Sequence, residues 1–217
     1  MFRSEVCVIA LLLTPQAGPP TGLLPRGFEL PANVDLEFAI TTVFKVSGAS
    51  VGLEMDDPLT KPVSERYNPF SLGGQRAGDA INQLLQLYPA FEARDLGRAI
   101  VVRPRDTWAG LAASPLDRVR LSIDLVNKDY DAAVLEISSQ LCGGRVALPT
   151  RTRILSTPQP VSLRLSNVPA VVALSHFSDV TAGAWIAKPS NEETRWMLTF
   201  LAPGGVTTSI GCILRRP

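Results

Sequence analysis

A chain of 217 residues with 46% hydrophobic and 19% charged side chains is globular rather than disordered, and is long enough for two domains of about 100 residues each. A formal net charge of +1, with arginines scattered along the chain, gives no reason to expect nucleic acid or an acidic surface as the main partner. One histidine and three cysteines without CxxC spacing speak against a zinc site, and no cofactor is expected.

Residues 1–18 carry Arg3, an apolar run over 6–13 and the end Thr-Pro-Gln-Ala-Gly. That order resembles a secretory signal peptide cleaved near Ala17, although Glu5 partly offsets the basic start. The run is shorter than the roughly 20 apolar residues of a membrane span. The expectation is a periplasmic or otherwise exported chain, with no integral membrane span after processing. Cys7 would leave with this segment. Cys142 and Cys212 are then a candidate disulfide in an oxidising compartment, the alternative being two small buried apolar residues.

A Pro- and Gly-rich lead-in over 18–27 precedes the first module, residues 28–103. Residues 28–30 supply a first strand. Asn33 can cap a helix whose inward face is Leu36, Ile40, Val43 and Val46 or Ser47, with Gly48 at its end. Val51 and Leu53 form the next strand, a proline-containing loop covers 56–68, and Phe70 and Leu72 alternate as a strand. A helix over about 76–88 buries Ile81, Leu84, Leu85 and Tyr88. Strands at 90–94 and 98–103 flank Asp95-Leu96-Gly97, where glycine takes the positive φ of a tight turn.

Residues 104–118, with Pro104, Gly110 and Pro115, read as a linker. Trp108 within it is expected to pack inside the molecule, in the crevice between modules, the alternative being that it marks a partner surface.

The second module spans 119–217. Leu121, Ile123 and Leu125 alternate with polar residues, and Asn127 or Asp129 can cap a helix carrying Tyr130, Val134, Ile137 and Leu141 on one face. Gly143 and Gly144 end it, and 146–148 begin a strand. Val161, Leu163 and Leu165 form another, with Asn167 as cap and Pro169 in the first turn of a helix that buries Ala170, Leu174 and Phe177 and ends at Gly183. A hairpin of 184–187 and 196–201 and a C-terminal strand over 207–214 complete it. Residues 34–53 can be laid on 129–148 without a gap, matching Ile40 with Leu135, Gly48 with Gly143, Val51 with Val146 and Leu53 with Leu148. This is an internal repeat. The expected fold is α+β, two tandem β-α-β-β-α-β-β modules, each with two helices on one face of a small sheet.

The segments LSIDLVNKDY, QLCGGRVAL, VSLRLSNVPAVVALSHFSD, AWIA and WMLTFL resemble the short N-terminal (STN) domain found ahead of secretins and TonB-dependent transducers. The likeness covers 121–201 and, more loosely, 28–103. It implies periplasmic domains without catalytic residues that dock onto other envelope proteins or onto their own neighbours. No long series of alternating membrane strands follows module two, so the implied role is an adaptor or accessory subunit.

Catalytic chemistry has little support. His176 adjoins Ser175, Ser178 and Asp179 on one predicted helix, but residues one apart point about 100° away from each other, which spoils a triad. The glycine pairs at 73–74, 143–144 and 204–205 fit neither phosphate-binding pattern. Arg145, Arg151, Arg153 and Arg164 form the candidate partner-binding patch on the strand-loop-strand part of module two. Charge at a strand edge suppresses aggregation, yet the same edge can bind a partner by strand addition. The competing expectation is a small-ligand-binding or enzymatic protein with a pocket between the modules, near Trp108 and Trp185.

Overall fold

The computed structural model describes residues 22–56, 69–144, 150–152, 159–190, 196–203 and 206–212. The fold is α+β. Module one contains β1 (Glu29–Leu30), α1 (Leu36–Ser47), β2 (Val51–Glu54), β3 (Phe70–Ser71), α2 (Ala77–Leu84) with a 3-10 turn at Leu85–Leu87, β4 (Phe91–Asp95) and β5 (Ile100–Pro104). Two short helices follow, α3 (Arg105–Trp108) and α4 (Pro115–Arg118). Module two contains β6 (Arg120–Lys128), α5 (Tyr130–Leu141), β7 (Thr150–Thr152), β8 (Val161–Pro169), α6 (Ala170–Thr181), β9 (Ala184–Pro189), β10 (Trp196–Ala202) and β11 (Val206–Cys212). The strand expected at 146–148 and the proposed signal segment lie outside the described residues.

Local chemistry explains most boundaries and corrects several caps. Asp35 and Asp129 cap α1 and α5, their carboxylates accepting the N–H of Phe38 and Ala132 at 2.7 and 2.9 Å. Asn33 and Asn127 do not cap. They sit at φ 57° and 50°, a left-handed conformation that asparagine tolerates better than most residues. Asn167 does not cap α6 either. It too is left-handed, and the N–H groups of Asn127 and Asn167 donate to Ser162 Oγ and Ser122 Oγ across the β6–β8 ladder, where the register shifts. The C-terminal end of α6 is taken by Ala182 at φ 46°, not by Gly183. Gly183 is needed for a different reason: a Cβ there would lie 2.7 Å from the Leu201 carbonyl oxygen.

The largest departure concerns the sheets. One small sheet per module was expected; instead strands of both modules join in one seven-stranded sheet, ordered β4-β5-β2-β9-β10-β11-β7. The first and third strands of the modules pair separately, β1 with β3 and β6 with β8. At the junction β2 runs parallel to β9, placing Val51 opposite Ala184 and Glu54 opposite Ala187.

Two-sided burial is the physical reason. Val51, Leu53, Val102, Ala184 and Ile186 face a core shared with α1 and α2, whereas Val101, Trp185, Ala187, Leu198 and Phe200 face a core shared with α5 and α6. Every residue of β2 is buried, and so are the first four of β9. Such continuous apolar strands need cover on both faces, so the helices of the two modules lie on opposite sides of a common sheet. Within the second core the Phe177 ring meets Tyr130 and Phe200 at centroid distances of 5.8 and 5.7 Å, each pair adding about 0.5–1.5 kcal/mol beyond the area it buries.

Candidate docking site

The seven-stranded sheet ends in β4 on one side and β7 on the other. In β4 the N–H of Leu96 bonds to Ala99 O, and the N–H of Arg105 bonds to Ala90 O, so even-numbered residues turn their backbone groups toward β5. Antiparallel alternation then directs the N–H and C=O of Ala93 and Asp95 outward. Alongside them runs a groove of about 230 Å³ between α2 and β4. Gly78, Ala93 and Ile100 line its apolar part; Arg76, Asp79, Asn82 and Asp95 contribute the polar part.

The corresponding place in module two, between α6 and β9, is already occupied. There β2 is the guest: the N–H of Met55 donates to Ala187 O at 2.9 Å, and Ser50 Oγ donates to Ser178 O near the end of α6 at 3.1 Å. Gly52 lies against the Trp185 ring, and a Cβ at that position would overlap the indole. Trp185 is fully buried, and its Nε1 has no hydrogen-bond partner among the described residues.

A buried ionic clasp holds the linker to the sheet next to this junction. Glu54, at the end of β2, accepts from Arg103 Nε of β5 at 2.6 Å and from the hydroxyl of Ser114. The Arg103 guanidinium also grips Asp117 of α4 with both terminal nitrogens, at 3.1 and 2.8 Å. Burial pushes the Glu54 carboxyl above the ordinary carboxylate value, and the Arg103 charge only partly offsets it. Burial alone would lower Arg103, but its bonds to Asp117 and the Glu54 charge hold it above its ordinary value. Trp108 closes the cluster, with Arg94 and Arg103 at 4.6 and 4.9 Å from its ring centroid and its Nε1–H donated to Glu92 O at 3.0 Å. Trp108 is thus packed inside the molecule, half-buried on the β4–β5 hairpin and against the core that α5 and α6 share with the sheet.

Of the four arginines singled out in the sequence, the two in described residues, Arg151 and Arg164, lie in different sheets. Arg151 is the middle residue of β7, at the border of the large sheet, whereas Arg164 lies on β8 in the separate β6–β8 ladder and pairs with Asp124 at 2.9 Å. Arg145 and Arg153 lie outside the described residues. Ser175 Oγ donates to Val171 O, and Asp179 pairs with Arg98, so both are engaged away from His176. Cys142 is disulfide-bonded, and its helix α5 packs against β11, the strand that ends at Cys212. The Cys212 side chain lies outside the described residues. Glu54, Arg103, Ser114 and Asp117 escaped sequence reasoning. Their signal was a charge closing each of two apolar runs, VGLE and IVVR.

No protein-family model, no curated protein and no solved structure matches the chain. No helix among the described residues is long and apolar enough to cross a membrane.

Proposed function

We propose that this protein is a non-enzymatic docking module of a bacterial envelope pathway that binds partners by strand addition. The observation that carries this role is the junction itself. A strand of one module completes the helix-and-edge groove of the other, and the equivalent groove of module one stands open beside the outward backbone of Ala93 and Asp95. An exported, oxidising setting agrees with the disulfide at Cys142, which we assign to Cys212, and with the signal-like residues 1–18. The tandem modules keep their likeness to STN docking domains as a proposal of kinship.

Affinity capture from envelope extract tests the role. Wild-type chain is compared with Ala93→Pro, which removes an outward N–H, and with Arg151→Glu on the opposite border. Loss of specific partners from at least one variant that melts like wild type is expected. Equal recovery of every partner by all three proteins would refute docking through the sheet edges. Intact mass of the purified native protein tests export; a chain retaining Met1 in the soluble cytoplasm contradicts it.

A further inference from the structure

We propose that the groove between α2 and β4 receives the β7 edge of a second copy of this chain, so that the sheet continues head to tail from one molecule to the next. The assignment rests on the docking role above and names its partner.

The molecule contains its own template for such a contact. β9 and β4 each open the closing hairpin of a module, each follows the second long helix of that module, and each turns alternate backbone groups away from the hairpin. On β9 the row is met by a strand from the neighbouring module, through Met55 N–H to Ala187 O. On β4 the matching row at Ala93 and Asp95 borders an open groove. What fits the first groove is the strand that borders module one's part of the sheet, and among the described residues β7 is the strand that borders module two's part.

Space and charge agree with that occupant. The junction groove is floored by Trp185 and admits only the hydrogen of Gly52, whereas the open groove is floored by Ala93 and Gly78. Even a methyl group added to Gly78 would only touch Ile100 Cδ1 at 3.7 Å, so an incoming threonine side chain has room. Asp79 and Asp95 outnumber Arg76 at the groove. β7 reads Thr150-Arg151-Thr152, and its one charge has the sign that complements an acidic rim. Because the two borders are different surfaces, pairing them is heterologous and does not close at a dimer unless the rotation brings it into a ring.

Sedimentation velocity of the full chain over a concentration series, at low and high salt, tests the proposal. The wild-type average mass rises past that of a dimer with concentration, and high salt weakens the rise. Ala93→Pro abolishes it, as does Asn82→Trp, which fills the groove from an exposed helix position and leaves the core untouched. Asp79→Lys and Arg151→Asp each lose it alone, and mixing the two variants restores growth past a dimer, because both borders of each variant then meet a border of complementary charge on the other. A wild-type chain that stays monomeric throughout overturns the proposal, and so do edge variants that associate like wild type. If the chain is monomeric yet Ala93→Pro still loses envelope partners, only the self-assembly is wrong. If Ala93→Pro changes neither property, the docking role falls with it.

Discussion

Strands β9 and β4 hold equivalent places in their modules but have opposite fates. β9 lies in the interior of a seven-stranded sheet, with β10 on one side and β2 on the other, and its first four residues are buried. Among the described residues β4 is bonded to β5 alone, and exposure rises along it from Phe91 to Asp95. The difference teaches that the same module edge is paired with the protein's own strand in one module and lies at the sheet border in the other.

The comparison breaks most sharply with proline. Ala187→Pro places a ring in a central strand, where proline cannot serve the ladder, and is expected not to accumulate as folded protein. Ala93→Pro at the matching border position should change unfolding free energy by no more than about 0.5 kcal/mol. Equal solubility and equal denaturant midpoints for the two would contradict the assignment of interior and border.

The clasp beside the junction comes next. Arg103→Ala leaves Glu54 buried without its counter-charge and should cost about 3–5 kcal/mol in urea unfolding. Removing the positive charge raises the Glu54 carboxyl further in the folded state. A raised carboxyl contributes stability that is present at low pH and is lost as pH climbs through its folded pKa. The deficit of the variant relative to wild type should therefore shrink on acidification, and a deficit that grows in acid would place the cost elsewhere. Gly52→Ala then sharpens the picture of the filled groove. Its Cβ must displace the Trp185 ring, at about 1–3 kcal/mol and with a change in tryptophan fluorescence. The smallest effect belongs to a cap: Asp35→Ala should cost about 1 kcal/mol in urea unfolding.

How much of this was legible depends on the range of the interaction. The four longer helices α1, α2, α5 and α6, the hairpin turn at Gly97 and the helix ends at Gly48 and Gly143 follow from periodicity and from positive φ, both local properties that the chain displays directly, whereas α3 and α4, of four residues each, are too short to show a period and fell in the stretch read as a linker. The caps were half legible, because Asn and Asp are alike as acceptors and only the backbone decides which of Asn33 and Asp35 points into the helix. The shared sheet was written in the runs AWIA, IVV and WMLTFLA, whose lack of alternation marks strands buried on both faces. Periodicity shows that such strands need two covers without saying which module supplies them. The groove at α2 and β4 joins residues from 76 to 100 through tertiary packing, and nothing in their spacing announces it.

Amide hydrogen exchange at the two edges tests the central claim most directly. In dilute protein the Met55 amide, donated to Ala187 O across the module junction, should exchange slowly, while the outward amides of Ala93 and Asp95 exchange fast. At high concentration the latter two should slow as their edge is filled. A Met55 amide that exchanges as fast as those of Ala93 and Asp95 would contradict the continuous sheet on which the account stands.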